Sequence, residues 1–184
     1  MQKVHEVTKG IRLSGVKKLL DLGGGPGTYS MAFARKNIEV TLLDFPETLK
    51  IAKRLISASG LGSKIKLLPG DFAKTCLGNN YDMVFISQIL HAYNDGDCMS
   101  LLKKCSASLK PGGRVVVQEF YLDETKTYPP QGAMFAINML VNTAAGRSYS
   151  PSEISSWMKK TGFTDITEKI LGETILISGA TPKV

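Results

Sequence analysis

The chain has 184 residues, of which 43% are hydrophobic and 21% charged, with a formal net charge of +7; this composition indicates one globular domain rather than a disordered or fibrous chain. No apolar run approaches the ~18 residues that a membrane span needs, and the polar N-terminus lacks the apolar core of a signal peptide. Lys and Arg are scattered without a block of five, so a solvated basic surface is favoured over a nucleic-acid surface.

The number and spacing of the cysteines indicate the redox state of the compartment in which the protein is found. Cys76, Cys98 and Cys105 are odd in number and have no C-x-x-C spacing, which predicts free thiols in a reducing, cytoplasmic environment. The sequence has only two histidines, and neither lies near a cysteine pair. We therefore predict no metal site.

The first predicted strand, residues 17–22, follows a short predicted helix over 1–12 and stops at a glycine cluster. The composition of 28–36 predicts a helix directly behind the glycines. A strand, a glycine-rich turn and a helix form the unit that binds nucleotide-like ligands at the carboxyl edge of a parallel sheet. An ordinary tight turn without a ligand is the alternative.

The spacing of the glycines narrows the ligand class. A dinucleotide fingerprint needs glycines at positions 23, 25 and 28, but Thr28 occupies the last of these. The chain instead has Asp21 followed by Gly23, Gly25 and Gly27, the D-x-G-x-G-x-G pattern that is typical of S-adenosylmethionine (SAM) methyltransferases. No Lys follows the last glycine, which excludes a P-loop.

The second predicted strand, residues 38–43, ends at Asp44. An acidic residue in this position can accept hydrogen bonds from both hydroxyls of a ribose. Enzymes that use NAD share the feature, so Asp44 indicates a ribose without choosing the cofactor. It can also serve as the N-cap of a helix predicted over 47–59.

The third predicted strand, residues 65–68, is followed by Gly70, Asp71 and Phe72. The carboxylate can accept a hydrogen bond from the exocyclic amine of adenine, and Phe72 can provide a ring face. Gly-Asp is also common turn chemistry, so the pair by itself is a weak indication.

Alternating strands and helices continue to the C-terminus, where the last two strands predict a hairpin about Gly172. The predicted elements are a strand over 81–86, a helix over 96–109 capped by Asn94, a turn over 109–113, a strand over 114–120, a loop over 121–133, a Met-rich helix over 133–145, a helix over 151–160 with a capping box, and strands over 163–171 and 173–178. They predict an α/β fold with a doubly wound, mostly parallel sheet and an antiparallel C-terminal hairpin.

At this point the chain resembles the catalytic domain of the family-2 O-methyltransferases, which include plant caffeate and flavonoid enzymes, hydroxyindole O-methyltransferase and bacterial polyketide O-methyltransferases. The resemblance runs from about residue 5 to the C-terminus and implies the seven-stranded sheet of class I SAM-dependent methyltransferases. The matching residues are Leu20–Gly27, Leu43–Glu47, Gly70–Phe72, Ile89–His91, Leu109–Gly113, Glu119 and Asn138–Asn142.

The resemblance also implies roles for individual residues. His91 matches the histidine that serves as general base, and Glu119 matches a carboxylate that orients it. Residues of the Met-rich helix would contact the substrate, namely Met134, Asn138, Met139 and Asn142. The implied SAM-binding residues are Asp21, Gly23, Gly24, Gly25, Gly27, Asp44, Phe45, Gly70, Asp71, Phe72, Ser87 and Gln88.

Three departures from the family pattern bear on these roles. Ala92 and Tyr93 follow His91 where the family usually has Asp and Trp, and Ser148 stands where a second flanking Glu is expected. The N-terminal helical domain that dimerises the family and closes its pocket is absent from these residues. We therefore interpret residues 1–184 as the catalytic domain of a truncated or split protein, or of one that takes its lid from a homodimer partner or a separate chain.

The resulting prediction is transfer of a methyl group from SAM to a hydroxyl, most simply a phenol, of a small molecule. A SAM-binding module with little or no transfer is the first alternative. A nucleic-acid methyltransferase is less consistent with the chain, because Ser87–Leu90 replaces the Asn/Asp-Pro-Pro-aromatic tetrad after strand four and no cysteine follows a proline. No membrane partner is expected.

Overall fold

The computed structural model describes residues 2–143 and 145–183, so Met1 of the first predicted helix and Ala144 of the predicted helix over 133–145 lie outside the described residues. The strands are β1 (Lys18–Leu22), β2 (Glu39–Asp44), β3 (Ile65–Pro69), β4 (Tyr81–Ser87), β5 (Leu109–Phe120), β6 (Thr164–Leu171) and β7 (Thr174–Ala180). The helices are α1 (Gln2–Gly10), α2 (Thr28–Ala34), α3 (Pro46–Ala58), α4 (Asp95–Ser108), α5 (Pro130–Asn142) and α6 (Pro151–Lys160), with a short 3₁₀ helix at Leu90–Ala92.

The strands form one seven-stranded sheet in the order β3-β2-β1-β4-β5-β7-β6. All neighbours are parallel except β7, which pairs antiparallel with both β5 and β6. The predicted doubly wound sheet with an antiparallel C-terminal hairpin is therefore confirmed. Because the strand order reverses between β1 and β4, a crevice opens beyond the carboxyl ends of these two strands.

Each face of the sheet buries its own apolar cluster. On one face, Phe33 of α2 packs edge-on against Phe85 of β4, with ring centroids 5.2 Å apart. On the other, Leu102 of α4 and Trp157 of α6 pack over β4 and β5. With both faces covered there, the central strands are largely buried and mostly apolar, and most of their polar side chains lie near the strand ends.

Three predicted boundaries are wrong by three residues or more, namely the start of β5 and both ends of α5, which ends at Asn142 rather than at 145. β5 begins at Leu109 rather than at 114, because the predicted turn lies alongside the C-terminal residues: Gly113 O accepts a hydrogen bond from Thr181 N at 2.8 Å. Helix α5 begins at Pro130 rather than at 133, since a proline in the first turn of a helix loses no hydrogen bond. The 3₁₀ turn that carries His91 was not predicted.

Cys76, Cys98 and Cys105 are free, as predicted. Burial raises the pKa of the Cys98 and Cys105 thiols to about 12, so both remain protonated at neutral pH. Among residues 2–143 and 145–183, no helix is long and apolar enough to cross a bilayer. Within the same ranges, no three His, Cys, Asp or Glu side chains are grouped closely enough to hold a metal ion.

Candidate functional site

The glycine-rich turn after β1 requires glycine at alternate positions. Gly23, Gly25 and Gly27 have φ angles of 68°, 57° and 84°, the left-handed region that glycine adopts without steric cost. A Cβ on Gly23 would lie 2.4 Å from Ile89 Cδ1, whereas a Cβ on Gly25 would have nothing within 4 Å. The turn therefore packs against Ile89 at Gly23, whereas the backbone at Gly25 faces open space.

Asp44 at the end of β2 holds this turn. Its Oδ2 accepts a hydrogen bond from Gly25 N at 2.8 Å, and its Oδ1 accepts one from Phe45 N at 2.7 Å. The alternative role of Asp44 as the N-cap of α3 is not observed, because Phe45 is the N-cap residue and Pro46 occupies the first helical turn. The carboxylate instead lies beside the open backbone of Gly25.

Asp21 lies beneath the turn and is fully buried. Its Oδ2 accepts a hydrogen bond from Ser30 Oγ at 2.6 Å, while its Oδ1 has no partner among the described residues. Burial raises the pKa of this carboxyl to about 6, a shift that the Ser30 hydrogen bond partly opposes. A Cβ on Gly24 would come within 2.7 Å of Asp21 Oδ2, so glycine is needed here for close approach.

The segment after β3 reaches the same sheet edge. Gly70 N donates a hydrogen bond to Asp44 O at 3.0 Å, and Asp71 Oδ1 accepts one from Ala73 N at 2.9 Å. Phe72 is only 6% exposed and packs edge-on against a neighbouring ring. The exposed ring at this edge is Phe45, with 47% exposure.

The end of β4 presents polar groups to the crevice. Ser87 Oγ donates a hydrogen bond to Gln118 Oε1, and Gln88 N donates one to Gln118 O at 2.9 Å. Gln88 has a φ of 58°, a conformation that costs a non-glycine residue energy and is often found at functional sites. Its side-chain Nε2 is buried and has no partner among the described residues. Gln118 was missed at the sequence level, since one polar residue in a β5 pattern carries no signal.

The structure brings His91 and Glu119 together. His91 Nδ1 donates to Glu119 Oε2 at 2.7 Å, because an ionised carboxylate can only accept. Glu119 Oε1 accepts from the backbone N–H groups of Ile89 and Leu90 at 2.9 and 2.8 Å, and the residue is 4% exposed. A buried carboxylate with three donors fixes the imidazole in the tautomer that leaves Nε2 unprotonated. A histidine that is hydrogen-bonded only to backbone groups is the alternative, and it does not apply to Nδ1, whose partner is the Glu119 side chain.

Residues far along the chain support the backbone around His91. Tyr149 donates its hydroxyl proton to Tyr93 O, and a Cβ on Gly146 would lie 2.3 Å from His91 O. Ser148 is buried, and its hydroxyl has no partner among the described residues. Of these residues, the sequence analysis had named only Ser148. The contacts of Gly146 and Tyr149 with the backbone near His91 depend on distances in the folded chain, which residue type does not reveal.

Replacing Gly146 with alanine is expected to destabilise the fold by about 1–3 kcal/mol, because the added methyl group overlaps a backbone carbonyl that cannot move freely. Urea unfolding measures the effect. The matched control is Gly62→Ala, where nothing lies within 4 Å of the added Cβ. Equal stability of both variants would contradict the close approach.

The predicted substrate residues lie on α5 and differ in exposure. Met134 is 66% exposed, Asn138 and Asn142 are also exposed, and Met139 is half-buried. Asn142 Nδ2 donates to Asn138 O at 3.0 Å. The α5 residue that contacts the His91 ring is Phe135, edge-on with centroids 4.8 Å apart; the sequence pattern did not single it out.

This arrangement of a seven-stranded sheet, an open glycine turn and an acidic residue ending β2 defines a class I methyltransferase fold. Residues 2–164 match the model of the O-methyltransferase domain family, and the chain belongs to this family. The comparison thus establishes family membership over most of the chain.

The chain is similar to curated relatives over part of their length. It is 35% identical to acetylserotonin O-methyltransferase of Macaca mulatta, over 87% of this chain and 46% of that protein. It is 30% identical to 3-hydroxy-5-methyl-1-naphthoate 3-O-methyltransferase of Streptomyces sahachiroi, over 88% of this chain and 47% of that one. The chain therefore spans about half the length of the curated relatives it matches.

Solved structures have the same fold. Human N-acetylserotonin methyltransferase, solved in complex with SAM, superposes with a TM-score of 0.90 at 29% identity, over 98% of this chain and 52% of that chain. PigF, solved with S-adenosylhomocysteine (SAH), superposes with a TM-score of 0.89 at 26% identity, over 97% of this chain and 54% of that chain.

Proposed function

We propose that this chain is the SAM-binding catalytic domain of an O-methyltransferase that acts on a hydroxyl group of a small molecule, with His91 as general base. The observation that carries the proposal is the buried Glu119–His91 pair at the carboxyl edge of β4 and β5, in which the Nδ1 contact leaves Nε2 of the neutral imidazole unprotonated. The same edge carries the open glycine turn, and family relatives are named as O-methyltransferases.

The residues present fit SAM. The open backbone at Gly25 leaves space for a ligand, and the Asp44 carboxylate beside it retains lone pairs for ribose hydroxyls. The exposed ring of Phe45 and the Asp71 carboxylate supply a face and an acceptor for adenine. Gln88 Nε2, which has no partner within residues 2–143 and 145–183, supplies a donor for a carboxylate or hydroxyl of the ligand. A buried donor without a partner costs free energy until a ligand satisfies it.

The chain's own residues then account for the acid–base part of the reaction. Bound SAM supplies a methyl group on a sulfonium, open to in-line attack by an oxygen nucleophile. A phenol has a pKa near ~10 and is mostly protonated at neutral pH. His91 Nε2 accepts the phenol proton as the oxygen attacks, and Glu119 stabilises the resulting imidazolium through Nδ1. Such assistance contributes roughly 10²–10⁴-fold.

Two measurements test the proposal. Isothermal titration with SAM and SAH tests cofactor binding, and detection of methylated product over a panel of phenols tests transfer. Binding together with product supports the proposal. Binding without any product favours a SAM-binding module, the alternative that the replacement of the second flanking Glu by Ser148 supports. Lack of affinity for both ligands would refute the assignment.

Replacing Asp44 with alanine is expected to weaken SAH binding by about 10–100-fold, because hydrogen bonds to a charged group contribute roughly 1.5–3 kcal/mol and the anchor of Gly25 N is lost as well. Titration calorimetry measures the change. The matched control is Glu47→Ala, since Glu47 is exposed and pairs only with the exposed Lys50 in the described residues. An unchanged affinity in the Asp44 variant would remove the ribose role.

A further inference from the structure

The turn that follows β3 is held by an ammonium group from α4. Lys104 Nζ donates to three backbone carbonyl oxygens, those of Phe72 at 2.6 Å, Ala73 at 2.9 Å and Thr75 at 3.0 Å. A lysine ammonium has three donors and no acceptor, so all of its hydrogen-bonding capacity is directed at this turn. The charge-assisted bonds are stronger than neutral ones.

On the α4 side the side chain of Phe72 is buried in one apolar cluster with Leu101 and Leu102 of α4, whereas the backbone that follows Phe72 has fewer contacts. Internally, Asp71 O accepts from Lys74 N and Thr75 N at 2.9 and 2.6 Å, which closes the turn on itself. Toward β2 it is joined by the bond from Gly70 N to Asp44 O. Toward α4 there is a cavity of about 290 Å³ lined by Phe72, Ala73, Tyr93, Asp97, Ser100, Leu101 and Lys104. Packing is incomplete beside Ala73, so the ammonium group holds the backbone of residues 73–75, which the buried Phe72 ring does not fix.

The carboxylate of Asp71 takes its direction from this turn. Its Oδ1 is used by Ala73 N, and its Oδ2 lies 3.9 Å from the exposed Lys74 ammonium, a weak surface contact. Oδ2 is therefore the oxygen left for a ligand. Because Ala73 donates to Asp71 through its N–H while its carbonyl binds Lys104, a shift of Ala73 moves the carboxylate directly.

We propose that Lys104 is a positioning residue that sets the base specificity of the cofactor site by holding the 71–75 turn, so that Asp71 accepts the exocyclic amine of adenine. The inference rests on the proposed function, since it takes adenine as the base. In this proposal Lys104 acts through the backbone of the turn and not through a contact with the cofactor. Its effect is on the discrimination between bases rather than on methyl transfer itself.

The experiment compares two ligands across matched variants. SAH presents an amine donor at the purine 6-position, and S-inosylhomocysteine presents a carbonyl oxygen that a carboxylate repels. Titration calorimetry gives both dissociation constants for the wild-type chain, Lys104→Met, Lys104→Arg and Lys103→Met. Lys103 is the exposed neighbour on the same helix and serves as the control.

Lys104→Met is expected to weaken SAH binding by about 10-fold, the loss of roughly one charge-assisted hydrogen bond, and to leave S-inosylhomocysteine binding within about 2-fold. The ratio of the two constants therefore falls, whereas a general loss of stability would change both alike. Lys104→Arg keeps the charge but not the three-carbonyl geometry, so an intermediate ratio is expected. Lys103→Met is expected to match the wild type.

The outcomes separate this inference from the proposed function. A wild-type chain that binds neither ligand would refute the proposed function. A wild-type chain that binds SAH, with an unchanged ratio in Lys104→Met, would overturn the role of Lys104 alone, as would equal binding of both ligands by the wild type. If circular dichroism shows Lys104→Met unfolded, Lys104→Arg decides: a wild-type ratio in that folded variant overturns the inference.

Discussion

Replacing His91 with alanine is expected to lower the rate of methyl transfer by about 10²–10⁴-fold, the range that a positioned general base contributes. The affinity for SAH is expected to stay within about 2-fold, because the imidazole is directed by Glu119 and Phe135 and none of the proposed cofactor contacts depends on it. The measurement is initial rate at saturating SAM with the best phenol of the panel, together with calorimetric titration of SAH.

The matched control is His5→Ala, because His5 is exposed on α1 and its loss should leave the rate unchanged. Glu119→Gln tests the tautomer. A glutamine amide can donate to Nδ1, which places the imidazole proton on Nε2 and removes the base, so a loss comparable to that in His91→Ala is expected. Full activity in either site variant would show that alignment alone drives the transfer.

Replacing Asp21 with asparagine is expected to change the free energy of unfolding in a pH-dependent way. Relative to the wild type, the variant should be more stable at neutral pH than it is at pH 4. Burial raises the pKa of Asp21 from its ordinary value near 3.8 to about 6, so the folded state holds the proton more tightly than the unfolded state. The wild type therefore loses stability as pH rises from about 4 to about 6, by at most about 3 kcal/mol at 1.36 kcal/mol per unit. Asparagine does not titrate, and the variant does not undergo this loss.

Urea unfolding of both proteins at pH 4 and pH 7.5 measures the difference. Asp82→Asn is a control that should give no pH response in this window: desolvation raises the pKa of Asp82, but hydrogen bonds from Lys110, Lys18 and Lys17 outweigh it and lower the pKa overall. The stabilising contribution of Asp82 is therefore nearly all present at pH 4 and is lost only at lower pH, so its replacement should cost about the same stability at pH 4 and pH 7.5. The same pH response in both variants would contradict the buried state of Asp21.

The sheet could be predicted because its signals are local. The apolar strands and the glycine spacing from Gly23 to Gly27 identify a nucleotide-binding turn without reference to the rest of the chain. Helix α4 was predicted to within one residue at each end because Asn94 accepts a hydrogen bond from Asp97 N, a contact three residues away. Asp44 shows the limit, since it follows a strand as predicted yet binds Gly25 instead of capping α3.

The sequence by itself determined the order of strands and helices, the glycine turn and the candidate residues at the strand ends, because parallel strands bring their carboxyl ends to one edge. Only the tertiary structure showed that Glu119 binds Nδ1 of His91, which lies 28 positions earlier in the chain. Only the tertiary structure likewise showed that Lys104 holds the 71–75 turn, which lies about 30 positions earlier. The sequence around a residue such as Lys104, Phe135 or Gly146 contains no pattern that predicts its distant partner. These contacts arise when β4, β5 and α4 pack, and packing depends on distances that no local pattern contains.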